Sequence, residues 1–216
     1  MGERQRRVIE ELVTSYGRTY AEEAGITLRN TPQPLYRTLV LACLLSARIR
    51  ASVAVATSRA LHDAGLRDPR RMADATWQER VDALGAGGYR RYDERTATQL
   101  GDGARLLTER WGGDVRRMRA EADGDLDRLR GLLREVPGIG PAGADIFLRE
   151  VQRVWPEAAP YIDAKALSGA HRLGLPEDPG RLAGLSGDTE PAVLAAALVR
   201  AALDKQVAEE VLGSVR

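Results

Sequence analysis

Apolar residues recur along this chain at three- and four-residue intervals, the period of helices, and alternating strand patterns are almost absent. Val8, Ile9, Leu12, Val13 and Tyr16 mark one stripe of an N-terminal helix. The turn-rich stretch Asn30-Thr31-Pro32-Gln33-Pro34 then leads into 35–47, which is apolar nearly all round and predicts the central buried helix. Shorter helices are predicted over 51–64 and 77–83, with Gly85-Ala86-Gly87-Gly88 as a flexible break. A longer helix over 93–110 stops at Trp111-Gly112-Gly113. Leu126, Leu129, Leu132 and Leu133 give 125–136 one apolar face, ended by Pro137. The next helix opens on Pro141, a residue favoured at the first helical position, and is predicted to reach about Trp155. Asp163 can cap a helix over 164–172, and a last helix starts near Pro191. With no internal repeat and no low-complexity linker, the expectation is all-α.

Composition narrows the class. The chain has 216 residues, room for one large domain or two lobes sharing a core. No apolar run approaches the ~20 residues of a membrane span, and the basic start lacks the apolar stretch of a secretory signal. One cysteine, Cys43, can form neither an internal disulfide nor a four-thiolate cluster. The chain therefore reads as cytoplasmic. A net charge of +1 argues weakly against a nucleic-acid partner, but its distribution is uneven. Residues 48–119 hold fifteen Arg against ten acidic residues, and 174–216 hold four basic against seven acidic. Lys165 and Lys205 are the only lysines.

The most informative stretch is Val136-Pro137-Gly138-Ile139-Gly140-Pro141, a tight hairpin between two helices. Two glycines around one apolar residue let the backbone take positive φ and approach a partner closely. Ile139 can plug into the core, while the next helix offers unpaired N–H groups and partial positive charge. Together these make a phosphate site that reads backbone position instead of base sequence. A simple αα-corner satisfies the same glycines.

The segment from Val136 to Asp145 resembles the hairpin of the endonuclease III superfamily of DNA glycosylases, usually Leu-Pro-Gly-Val-Gly-Arg-Lys-Thr-Ala. That family places a catalytic aspartate in Val-Asp-Thr-His about twenty residues later, before a helix ending Arg-Leu-Gly-Leu. Here Tyr161-Ile162-Asp163-Ala164-Lys165 leads to Arg172-Leu173-Gly174-Leu175 at matching spacing. Upstream, Leu44-Leu45-Ser46-Ala47-Arg48 resembles the family's Leu-Leu-Ser-Ala-Gln. The resemblance implies a helix-hairpin-helix glycosylase fold: a six-helix barrel over 30–157, a second helical lobe from 1–29 plus 158–216, and a DNA cleft between them. It also implies a monomer acting on double-stranded DNA with a damaged or mispaired base, associated with the nucleoid.

On that resemblance Asp163 is the catalytic carboxylate. Breaking a glycosidic bond builds positive charge on the sugar, which a fixed carboxylate stabilises while orienting water. Its other reading is a plain helix cap. Lyase-competent members carry a lysine directly after the hairpin, where this chain has Ala142, so the expected activity is monofunctional. Lys165 is the nearby amine, read as a phosphate contact, with a nucleophile as the alternative. No cofactor is expected. The family's iron–sulfur loop needs four cysteines, no metal site is foreseen, and the resemblance leaves room only for a monovalent cation at the hairpin backbone. The phosphate itself is assigned to Gly138, Ile139 and Gly140, one donor fewer because of Pro141.

Extruding a nucleotide leaves a gap that inserted side chains hold open. Arg48 stands where relatives carry a gap-filling Gln. A second wedge is expected from Gly88-Tyr89-Arg90-Arg91-Tyr92, with Tyr89, Arg91 and Tyr92 left as alternatives. Three functions are open: a monofunctional glycosylase, a glycosylase with lyase activity through Lys165, and a DNA-binding module that kept the hairpin without the catalysis.

Overall fold

The computed structural model describes residues 2–215. They form fourteen α-helices with one 3-10 turn, and no strand occurs among the described residues. The helices are α1 (Gly2–Tyr16), α2 (Tyr20–Glu23), α3 (Pro32–Leu45), α4 (Ala51–Asp63), α5 (Pro69–Asp74), α6 (Trp77–Ala86) and α7 (Asp93–Trp111). They continue as α8 (Val115–Ala122), α9 (Leu126–Glu135), α10 (Pro141–Val151), α11 (Ala164–Arg172), α12 (Pro179–Ser186), α13 (Pro191–Leu203) and α14 (Lys205–Ser214).

Several ends differ from the sequence expectation for local reasons. The break expected at Gly85 comes later, because α6 tolerates Gly85 and Ala86 and ends at Gly87. The helix expected to reach Trp155 ends at Val151, and the chain turns through Pro156–Ala158. The last expected helix is two, since Asp204 closes α13 and caps α14 by accepting from the Gln206 N–H. Short helices α5, α8 and α12 carry few apolar positions and are started by the side chains of Asp68, Asp114 and Asp178, each accepting a backbone N–H.

The chain divides into two units, Met1–Tyr20 with Leu148–Arg216, and Ala21–Phe147. The divisions expected at 29/30 and 157/158 thus fall nine and ten residues earlier. Residues 24 and 25 join the middle unit because Arg37 of α3 donates to the carbonyls of Ala24 and Gly25. Residues 148–157 join the terminal unit because Arg149 of α10 grips Asp163 and Gln152, just past α10, grips Tyr161.

In the middle unit α3 is buried from Leu35 to Leu44 except for Arg37, and it packs against α4 and α8. α7 packs on α5 and α6, and α8 joins α7 to α9. The buried Arg80 of α6 ties this layer together by donating to the carbonyls of Met72, Ala75 and Ala97. In the terminal unit α13 is the buried centre, contacting α1, α11 and α14. Arg200 of α13 donates to the carbonyl of Tyr16 at 3.0 Å and closes the end of α1.

Small residues let α11 lie close against α13. A Cβ built on Gly169 would stand 1.9 Å from the Leu198 carbonyl oxygen, so a methyl group there must push the helices apart. Gly169→Ala is therefore expected to cost about 2–3 kcal/mol, measured by urea unfolding. Unchanged stability would mean that the contact is looser than described.

Candidate active site and nucleic-acid interface

The hairpin 136–140 is held from below. Val136 and Ile139 are buried, and Ile139 plugs inward as its sequence predicts. Gly138 has φ +89, and a Cβ there would stand 2.9 Å from the Cys43 thiol and 3.3 Å from the Gln99 side chain. The end of α3 and the early turns of α7 thus form the floor, with Gly103 of α7 close beneath Val136 and Pro137. Burial pushes the Cys43 thiol up to about 12, so it stays protonated and serves as packing.

The two glycines differ. Gly138 needs the left-handed region, whereas Gly140 has no positive φ and a Cβ on it would meet nothing within 4 Å. Gly140 therefore offers an open face. The N–H of Ile139 is bonded to the Val136 carbonyl at 2.9 Å, which takes Ile139 off the list of phosphate donors. Gly140 accepts from the Ala144 N–H and starts α10. Among the described residues the N–H groups of Gly138, Gly140, Ala142 and Gly143 have no backbone or side-chain partner. These orphan donors sit where the dipole of an eleven-residue helix favours an anion. The two helices are clamped across the hairpin by Arg130 of α9 and Asp145 of α10, 2.8 Å apart.

Arginine and tyrosine side chains cluster at the start of α7. Arg91 and Arg95 lie 5.2 and 5.3 Å from the centre of the Tyr92 ring. Arg91 is exposed and Tyr92 half-buried. Tyr89 does not belong with them: it is 2 % exposed, and its hydroxyl accepts from Thr96 at 3.2 Å. A ring anchored in the core cannot enter a base stack, so Tyr89 is withdrawn as a wedge. Arg48 is exposed, three residues past α3. In the middle unit the fold therefore brings the hairpin to the end of α3 that leads to Arg48 and to the turns of α7 that follow Tyr92 and Arg95.

Asp163 and Lys165 lie in the terminal unit. Asp163 is the N-cap of α11, its Oδ1 accepting from the Ala166 N–H at 3.0 Å. Its Oδ2 accepts from Arg149 at 2.7 Å, with side-chain exposures of 7 % for Arg149 and 10 % for Asp163. Beside this pair the buried Gln152 amide spans the backbone of Tyr161, accepting from its N–H at 2.6 Å and donating to its carbonyl at 3.1 Å. The end of α10 and the turn after it thus hold the loop into α11 by a side chain and by a backbone. Sequence reasoning missed both residues. The only available signal was their one-turn spacing on a helix whose apolar face excludes polar side chains. Lys165, at the second position of α11, is exposed.

Taken together these features define an all-α protein with a helix-hairpin-helix and a carboxylate fixed at a helix start. No protein-family model and no curated protein matches the chain. Among solved structures, it is similar to an endonuclease III trapped as a covalent intermediate with DNA in an estranged-adenine complex, at 16 % identity and TM-score 0.56. It is also similar to a non-covalent endonuclease III–DNA complex, at 17 % identity and TM-score 0.58. In both comparisons 93 % of this chain covers 85 % of the other. The fold is that of endonuclease III, all-α with a helix-hairpin-helix.

The glycines give a paired expectation. Gly138→Ala should cost about 2 kcal/mol, from left-handed backbone strain and crowding on Cys43. Gly140→Ala should keep stability within about 0.5 kcal/mol yet weaken duplex binding severalfold, read by fluorescence anisotropy. Wild-type affinity in Gly140→Ala would remove the hairpin's open face from the interface.

Proposed function

We propose that this protein is a monofunctional DNA glycosylase that hydrolyses the bond between sugar and a flipped, damaged or mispaired base. The observation that carries the reading is Asp163, a carboxylate held through both oxygens at a loop-to-helix corner of a fold whose similar structures are complexes with DNA. A plain cap needs one oxygen. The second bond fixes the rotamer, as a group that must face a reacting sugar requires. The orphan N–H groups around Gly138, Gly140 and Ala142 would hold one phosphate, with a monovalent cation as the alternative occupant of the hairpin backbone. Arg48, Arg91 and Tyr92 would meet the backbone and the gap left by the flipped base.

Ala142 stands where a lyase of this fold would need an amine, so water is the nucleophile in this reading. Lys165, exposed at the start of α11, is assigned to a phosphate contact. A four-cysteine iron–sulfur cluster does not fit the chain, whose one cysteine is buried in α3. The protein would act as a monomer on duplex DNA in the cytoplasm. A second reading, a DNA-binding module without catalysis, is favoured by one observation: Arg149 already satisfies the carboxylate.

Asp163→Asn separates the two. It should abolish base release from a duplex the wild type processes, leave binding within about twofold, and lower stability by about 2–4 kcal/mol because Arg149 loses its counter-charge. The wild type should yield abasic sites cut only by added alkali, and borohydride should trap no covalent adduct. Base release at wild-type rate by Asp163→Asn would remove the carboxylate from the mechanism. Tight duplex binding with no release across a lesion panel would establish the second reading.

A further inference from the structure

The Arg149–Asp163 pair bears on which bases the proposed glycosylase can release, and the inference rests on that reading. A lone carboxylate beside the sugar acts on the developing cation as a full negative charge. Here a guanidinium stands 2.7 Å from one carboxylate oxygen, in surroundings that exclude most water. The other oxygen faces the start of α11, which carries roughly half a positive charge. The single negative charge is thus offset by one full and one partial positive charge. What reaches the sugar is closer to a dipole's field than an ion's, and it stabilises an oxocarbenium far less.

Bases differ in how much of that help they need. The glycosidic bond breaks with both electrons passing to the base nitrogen. A neutral base such as uracil then departs as an anion unless an acid protonates it. The terminal unit's one histidine, His171, lies at the far end of α11 from Asp163 and is paired with Glu177 at 2.7 Å. A purine alkylated on N3 or N7 carries a positive charge while attached, and the same electron pair neutralises it. It leaves as a neutral molecule with no acid required. The sugar cation then takes up water at its anomeric carbon, the water's proton passes to Asp163 or solvent, and an abasic site remains.

We infer that Arg149, by neutralising Asp163, confines the enzyme to bases that leave as neutral molecules, namely purines alkylated at N3 or N7. Arg149 is in this sense a positioning and specificity-determining residue that acts through Asp163.

The test measures single-turnover release of free base by chromatography, using the full chain. The probes are a duplex carrying one 7-methylguanine, dimethyl sulfate-treated DNA as a source of 3-methyladenine, and a duplex with uracil opposite guanine. The expected result is release of the alkylated purines with uracil at least about a hundredfold slower. Arg149→Gln keeps a donor for Asp163 but removes the charge, and should lower the alkylpurine-to-uracil ratio by about tenfold or more. Arg149→Lys should preserve the ratio. A loss of fold in Arg149→Gln, seen in its melting curve, would lower both rates together and leave the wild-type panel to decide. Comparable release of uracil and alkylated purines by the wild type overturns the inference while upholding the glycosylase. An unchanged ratio in a folded Arg149→Gln also overturns it. Release of no base from any duplex overturns both the glycosylase reading and this inference.

Discussion

A carboxylate and a guanidinium held 2.7 Å apart, both largely removed from water, govern the terminal unit. Burying either charge alone costs several kcal/mol, so the pair survives only if Arg149 and Asp163 are brought together each time the chain folds. Such a pair adds little stability over a well-packed apolar one. What it provides is a unique position. Gln152, in the turn that follows α10, reinforces this by bonding both backbone groups of Tyr161. With the loop held at residues 161 and 163, α11 has to begin where it does, and Gly169 has to meet the Leu198 carbonyl. Much of the terminal unit is one consequence after another of this anchorage.

The hairpin of the middle unit solves the opposite problem. Its donors are backbone N–H groups left open to solvent, with no charged side chain among Gly138, Ile139, Gly140 and Pro141. The left-handed Gly138 over Cys43 sets the turn, and the open face at Gly140 leaves room for a partner. A site built from backbone groups reads no sequence, which suits the proposed search along duplex DNA. A carboxylate already neutralised by arginine suits chemistry in which the bond to be broken is weak. The two halves of the proposed function therefore ask little of side-chain charge.

Long elements with a clear apolar stripe were legible from the sequence: α3, α7 and α9 fall within a few residues of their predicted spans. So was the cap at Asp163, because capping depends on residues three apart. Short helices such as α5 and α8 were not, since two or three apolar positions make no readable period. Nor could the pattern separate Tyr89 from Tyr92, two tyrosines in one loop. Only packing against Thr96 puts the first inside and leaves the second between two arginines.

By itself the sequence determined the helical class, the hairpin, the capped aspartate and the lack of an amine at position 142. Each of these is written in residues within about one turn of one another. The tertiary structure decided that Gly140 and not Gly138, which sits over Cys43, presents the open face, and that Asp163 is neutralised by a residue fourteen positions earlier. Those outcomes depend on which distant groups packing brings within 3 Å. Local pattern carries no record of that.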